Sequence, residues 1–330
     1  MVLIQYKISI IVPIFNAEKY LKRGLDSILN QTFDVNSLQV ILVDDASSDN
    51  SRSIIEEYTN SYENFTSIFH DKNSGSAAEP RNSGLKIAKG DYVMFLDPDD
   101  EFRPEICEVL YDKIVESGVD LVKCNYVKVI GDSWEPYYYF DESVGEVSIK
   151  SSDVPLQHVT VCNGIHKMDV IRDNNLKFQN CIGADFVFPL EEFLLIDEMI
   201  YLNNFFGFNY YMEEGSSHST KPTVDKFYKT LDSFYLAYDL IVKYNREDIV
   251  PSLFGYQILS LYFRYVNLDV SKKVKLELLR KIASLINLLD SPLETPGFVY
   301  SYANKLLSNN QISLAYYYFE SFKRVKNLLG

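Results

Sequence analysis

The chain has 330 residues, 47% hydrophobic and 24% charged, with 14 Gly and 11 Pro. That is the composition of a folded globular protein, and it excludes the disordered, collagen-like and low-complexity classes. A formal net charge of −14 argues against nucleic acid as a partner, because phosphate backbones select basic surfaces.

The opening segment MVLIQYKISIIVPIFN has neither a basic n-region nor a small-residue cleavage site. It reads as a buried strand rather than a signal peptide. Within it, Ile8 to Ile14 is a continuous apolar run, as a parallel strand covered on both faces requires. Asn16 is then expected to cap a helix whose apolar face carries Tyr20, Leu21, Leu25, Ile28 and Leu29. Val40 to Val43 repeats the strand signal and ends at Asp44-Asp45. Ser51 to Tyr58 follows as a helix, with Asp49 or Asn50 as its cap. Thr66 to Phe69 is a short third strand. Pro80 suits a first helical position and Gly90 a stop, which predicts a helix over Arg81 to Lys89. Tyr92 to Leu96 is the fourth strand, and it runs straight into Asp97-Pro98-Asp99-Asp100.

Beyond Glu101 the pattern is mixed. Pro104 to Ser117 is helical, Val119 to Val129 a strand, and Gly131 to Val147 a Tyr-rich loop and hairpin. His166 to Leu176 reads as a short helix, Phe186 to Asp197 as another, and Met199 to Tyr211 as a strand. After Pro222 only helical periodicity remains: Phe227 to Tyr244, Pro251 to Val266, Ser271 to Leu289 and two segments past Pro296. The helix around Leu253, Tyr256, Leu259, Leu261 and Phe263 looks apolar all round and is expected to be buried. No run approaches the roughly 20 apolar residues of a bilayer span. Cys107, Cys124, Cys162 and Cys181 lie far apart without a CxxC pair, so neither a zinc site nor a disulfide framework is expected.

Alternating strands and helices predict an α/β, doubly wound, mostly parallel sheet followed by an all-helical C-terminal domain. The expected division is 1–221, with a nucleotide-binding half over 1–100 and an acceptor half over 101–221, and then 222–330. Twelve Lys/Arg against seven Asp/Glu beyond residue 240 leave that tail basic and the rest strongly acidic. A basic tail can touch an anionic surface, but a solvated helical face is the favoured reading.

In doubly wound sheets ligands bind outside the carboxyl ends of the strands. Here those ends carry Pro13-Ile14-Phe15-Asn16, Asp44-Asp45 and Asp97-Pro98-Asp99-Asp100, and the loop Asn73-Ser74-Gly75-Ser76 joins them. Asp97 and Asp99 can share a divalent cation that offsets their repulsion, with Mg²⁺ or Mn²⁺ favoured by oxygen donors. Read alone, the acidic run is equally a turn capping the helix at Pro104. Asp44 and Asp45 suit base or ribose hydrogen bonds. Arg81 and Asn82 follow a glycine-containing loop, where phosphate or sugar contacts are expected.

The motifs IVPIFN, VDDASSD, NSGSAAEPRNSGL and FLDPDD, in that order, resemble the nucleotide-sugar half of family 2 glycosyltransferases of GT-A fold. The resemblance implies a GT-A nucleotide-sugar domain with Pro13, Phe15, Asn16, Asp44, Asp45, Asn73, Arg81, Asp97 and Pro98 on a UDP-sugar. Gly183-Ala184-Asp185 resembles the family's segment that carries the catalytic base, which makes Asp185 that base. Ala184 stands where the family usually has Glu. Ser216-Ser217-His218-Ser219 resembles a His-containing closing segment, so the resemblance makes Asp99 and His218 ligands of Mn²⁺ or Mg²⁺. His70, His158 and His166 have no such context and are read as structural or surface residues.

PRNSGL and the helical tail look most like Gram-positive cell-surface enzymes. The implied activity is an inverting, metal-dependent hexose transfer (galactose, glucose or N-acetylglucosamine) to a hydroxyl of a glycan or glycoprotein. Extension of adhesin O-glycans is the favoured acceptor reading, and glycosylation of wall teichoic acid or polysaccharide is the alternative. The implied location is cytoplasmic, peripheral to the inner membrane face, with the helical domain able to support homo-oligomers. A non-catalytic nucleotide-sugar-binding partner subunit is the competing class, supported by Ala184. An oxidoreductase fails because no GxGxxG follows the first strand.

Overall fold

All seven residues of β1 (Ile8–Ile14) are buried, and so are all seven of β2 (Leu38–Asp44). Strands covered on both faces need parallel neighbours with helical crossovers, and the chain supplies them. A computed structural model describes residues 5–150, 160–181, 184–212 and 222–329. Between the strands run α1 (Leu21–Leu29) and α2 (Ser51–Ser61); β3 (Phe65–Phe69), α3 (Ala78–Ile87) and β4 (Tyr92–Phe95) follow. β1 pairs in parallel with β2 and β4, and β2 with β3.

The second part of the chain adds β5 (Glu101–Phe102), α4 (Ile106–Ser117), β6 (Leu121–Ile130), β7 (Ser133–Tyr137), β8 (Glu146–Lys150) and β9 (Gly164–Lys167). It ends with α5 (Met168–Asp173), α6 (Ala184–Leu195) and β10 (Glu198–Tyr211). The sheet order is β3-β2-β1-β4-β9-β6-β10-β5, with β7 on β6 and β8 on β10. β9 is antiparallel to both β4 and β6, so the sheet is mixed but mostly parallel at its nucleotide half.

Several local expectations change. Asn16 does not cap α1, which starts only at Leu21. Instead Asn16 adopts φ 50°, and its side-chain oxygen accepts the Ser48 N–H at 2.8 Å, joining two loops. α3 begins at Ala78, so Pro80 sits in its first turn rather than at its first position. Gly90 answers to packing: a Cβ there would lie 2.6 Å from the backbone N of Ser9 in β1. His166 lies on β9, not on a helix, because pairing with Val93 and Leu121 outweighs local helical pattern. Burial pushes the Cys124 thiol up to about 12, and all four cysteines are buried.

The chain divides into two compact units, one of residues 1–153, 158–180 and 184–217, the other of 154–157, 181–183 and 218–330. The second unit contains α7 (Val224–Lys243), α8 (Val250–Asn267), α9 (Lys272–Leu289), α10 (Phe298–Ser308) and α11 (Ile312–Leu329). Thr223 and Ser271 cap α7 and α9 with their hydroxyls, the preferred chemistry for orphan N–H groups. α8 is not apolar all round in effect: Leu253, Phe254, Ile258, Leu261, Tyr262 and Tyr265 are buried, but Phe263 is 55% exposed. α9 touches each of the other four helices. Among the described residues no helix is long and apolar enough to cross a membrane.

Lys275 of α9 is 4% exposed and donates to the Tyr265 carbonyl at 2.5 Å, satisfying the end of α8. Burial pulls its ammonium down to about 8, with Lys323 adding to the effect. An unfolded lysine holds its proton to about 10.4. Between those values the unfolded chain binds more protons, so this group makes stability rise with pH. Denaturant midpoints taken from pH 7.5 to 9.5 should therefore climb in the wild type relative to Lys275→Met. Parallel profiles would show that Lys275 does not titrate there.

Candidate active site

The register sets the site before any side chain is considered. Ile14 stands opposite Asp44, and Ile11 opposite Phe95. The residues that follow β1, β2 and β4 therefore leave the sheet along one edge. Pro13 lies beyond the last β1–β4 pair, so its missing N–H costs no bond on that side. Phe15 is 37% exposed at this edge.

Asp44 and Asp45 diverge in role. Asp44 is fully buried; its oxygens accept the Ser47 N–H and the Arg52 guanidinium, the latter at 2.7 Å. Its carboxylate is turned inward and closes the loop. Asp45 organises the neighbouring loop. One oxygen lies 2.8 Å from His70 Nδ1, and the other accepts from the Ser74 N–H and hydroxyl at 2.9 and 2.8 Å. Asn73 donates to the Asp45 carbonyl, while its own Oδ1 accepts from Gly75 N–H. Gly75 takes φ 85°, a conformation that suits glycine and lets the loop fold over Asp45.

His70 Nε2 in turn reaches Ser83 Oγ at 3.0 Å. His70, directly after β3, thus links Asp45 to Ser83 of α3, a structural role in keeping with its sequence reading.

Arg81 is 2% exposed, and its Nη2 meets Asp97 Oδ1 at 2.6 Å. The guanidinium also lies 5.2 Å from the Phe178 ring centre. Asp97, Pro98 and Asp99 are half-buried, whereas Asp100 is buried. Asp100 Oδ1 accepts the Tyr211 N–H at 3.1 Å, which ties the acidic loop to the end of β10. Burial pushes the Asp100 carboxyl well above the ordinary range, and Asp97 and Asp99 push the same way. Burial, then Asp100, Asp99 and Asp97, raise the Tyr210 phenol to about 12. α1 closes the loop from another side: Arg23 donates to the Asp99 carbonyl, and a Cβ on Gly24 would lie 3.1 Å from the Asp100 carbonyl.

The structure thus brings Asp45, Asn73, Arg81, Asp97, Pro98 and Asp99 to the strand-end region, with Phe15 and Asn16 at the same edge. Asp185 lies in the first turn of α6. His218 lies outside the described residues. Asp97 and Asp99 supply hard oxygen donors beside a carboxyl already disfavoured as an anion, a set suited to Mg²⁺ or Mn²⁺. Among the described residues no three His, Cys, Asp or Glu side chains converge on one point.

The sequence model for glycosyl transferase family 2 matches residues 9–166, which cover β1 through β9. The poly(ribitol-phosphate) beta-N-acetylglucosaminyltransferase TarP of Staphylococcus aureus is 31% identical over 242 residues, 70% of this chain and 72% of that protein. The chain belongs to glycosyl transferase family 2. Two further relatives match over shorter stretches. The poly(ribitol-phosphate) beta-glucosyltransferase of Bacillus spizizenii is 33% identical over 190 residues, 57% of this chain and 30% of that protein. Glycosyltransferase GlyG of Streptococcus pneumoniae is 36% identical over 146 residues, 43% of this chain and 48% of that protein. The chain therefore spans less than half the length of these two. Residues 1–349 of S. aureus TarS, solved in complex with UDP-GlcNAc, superpose with a TM-score of 0.79 at 21% identity. That match covers 96% of this chain and 92% of the other, and the GT-A fold is shared.

Asp44→Ala should lower stability by about 1.5–3 kcal/mol, the usual worth of hydrogen bonds made to a charged group. Denaturant unfolding measures it, and UDP affinity of the folded protein should stay near wild type. A large loss of UDP affinity without loss of stability would return Asp44 to the ligand side.

Proposed function

We propose that this chain transfers a hexose from a UDP-sugar to an acceptor hydroxyl with inversion at the anomeric carbon. The observation that carries the reading is the pair formed by buried Arg81 and half-buried Asp97. It joins α3 to the acidic loop beside the Asp45–Asn73 loop, in a chain of family 2. In this reading Phe15, Asn16, Asp45 and Asn73 hold the nucleotide. Arg81, Asp97 and Pro98 orient ribose and donor sugar. Asp185 takes the acceptor proton while the acceptor oxygen bonds to the anomeric carbon. The bond from that carbon to UDP breaks, and its electron pair leaves with the diphosphate. Much of the barrier is removed by alignment of the two oxygens about one carbon.

Asp99, with Asp97 close by and His218 as a further ligand, would hold a divalent cation. Such an ion, Mn²⁺ or Mg²⁺, supplies charge neutralisation to a diphosphate leaving group. For the acceptor, the poly(ribitol-phosphate) in the names of TarP and the Bacillus relative favours a cell-surface polyol phosphate. An O-glycan on a surface protein is the second acceptor class.

UDP release from a panel of UDP-sugars, with and without each acceptor class, tests the activity. No release with any donor, together with tight UDP binding, would favour a non-catalytic nucleotide-sugar-binding subunit. Asp185→Asn should bind UDP normally and lose about 10²-fold or more in turnover, within the usual range of general-base catalysis. Near-wild-type turnover would remove Asp185 from the mechanism. The metal is tested separately by calorimetry. UDP affinity should rise with Mn²⁺ in the wild type and become insensitive to Mn²⁺ in Asp99→Ala. A metal-insensitive wild type would take the cation out of the scheme.

A further inference from the structure

Buried at the centre of the sheet, His166 of β9 and Glu192 of α6 are both 0% exposed. The imidazole Nδ1 lies 2.9 and 2.8 Å from the two carboxylate oxygens, and Nε2 lies 3.3 Å from the Val161 carbonyl. Both ring nitrogens thus face acceptors only. Around them stand the rings of Phe95 and Phe188. A polar pair in such surroundings is a poor source of stability, since apolar residues of similar volume commonly serve as well or better. What it supplies is direction. Apolar contact is non-directional, whereas a hydrogen bond fixes distance and angle. The pair therefore sets the rotation of α6 about its own axis.

A second contact fixes the depth of the same helix. Asn82 clamps the backbone of Phe178 with two bonds of 2.9 Å, one donated by its Nδ2 and one accepted by its Oδ1. Phe178 stacks face to face on Phe188 of α6, with centroids 4.0 Å apart and planes 2° from parallel. The Phe178 ring also meets Phe95 edge to face and lies beside Arg81, the residue bound to Asp97. A continuous line of contacts therefore runs from the acidic loop through Arg81, Phe178 and Phe188 into α6.

We infer that the His166–Glu192 pair and the Asn82–Phe178 clamp are positioning elements of the transfer reaction, holding the first turn of α6 at fixed rotation and distance from Arg81 and Asp97. This rests on the reading of Asp185, which lies in that turn, as the base. A helix rotated by a fraction of a turn displaces every position along it, and a displacement of about 1 Å at a reacting group can cost about 10²-fold in rate.

The test compares Glu192→Leu with Glu192→Gln in the full chain, reading UDP release from the preferred UDP-sugar and UDP affinity by calorimetry. Glu192→Leu should lose about tenfold to hundredfold in kcat with KM for the donor and UDP affinity essentially unchanged. Glu192→Gln keeps an oxygen acceptor for the imidazole and should recover most of the turnover. Unchanged kcat in Glu192→Leu overturns the inference. So does a parallel fall of kcat and UDP affinity, which a merely structural role would produce, or a Glu192→Gln variant as slow as Glu192→Leu. Should Glu192→Leu fail to fold, the double variant His166→Phe/Glu192→Leu replaces both polar partners, and the same kcat loss is expected of it. Asp185→Asn separates the two readings. Full turnover in Asp185→Asn removes the base and this inference together, whereas an inactive Asp185→Asn beside a fully active Glu192→Leu removes the inference alone.

Discussion

Asp97, Asp99 and Asp100 place three carboxyl groups within four residues at a strand end, and the rest of the site is arranged around that crowding. Two unit charges 4 Å apart interact by about 4 kcal/mol at an effective dielectric near 20. The chain meets this repulsion in three ways. Asp97 takes the buried Arg81 guanidinium. Asp100 is sunk against Tyr211, where burial and its neighbours favour the neutral acid. Asp99 keeps its carboxyl beside both, while its carbonyl accepts from Arg23. One loop therefore presents a neutralised acid, a disfavoured acid and a third carboxylate with hard donor oxygens.

Arg81 explains why the neighbouring helix is built as it is. Its side chain is almost wholly covered, so it needs both a carboxylate and an aromatic face, and Asp97 and Phe178 provide them. Gly84, one turn further along α3, lets the helix lie directly on β1: a Cβ there would stand 2.5 Å from Ile11 Cγ2. The close approach of α3 to the sheet and the reach of Arg81 to the acidic loop are one packing solution.

Much of this was legible in the sequence. The apolar runs of β1, β2 and β4 announce parallel strands, and the polar residues just past them mark the site edge. The strand-end rule works because register carries those residues to one edge whatever the loops do. Other features had no local signal. His166 sits in a four-residue strand whose existence depends on β4 and β6, forty to seventy positions earlier. Asp44 and Asp45 are adjacent and chemically identical, and only the fold shows that one closes a loop while the other faces His70 and Ser74. Phe178 carries no motif at all. Its place follows from the Asn82 clamp across 96 residues.

The bond between the Tyr211 N–H and Asp100 bears on how the protein is made. It spans 111 positions, and β10 also pairs with β5, β6 and β8. During synthesis the acidic loop emerges early, with nothing yet available to hold Asp100. Loop closure over such separations is entropically costly and slow. Asp97 and the Asp99 carbonyl have partners, Arg81 and Arg23, that are made before the loop itself. Asp100 alone of the three must wait for a partner that is made 111 positions later.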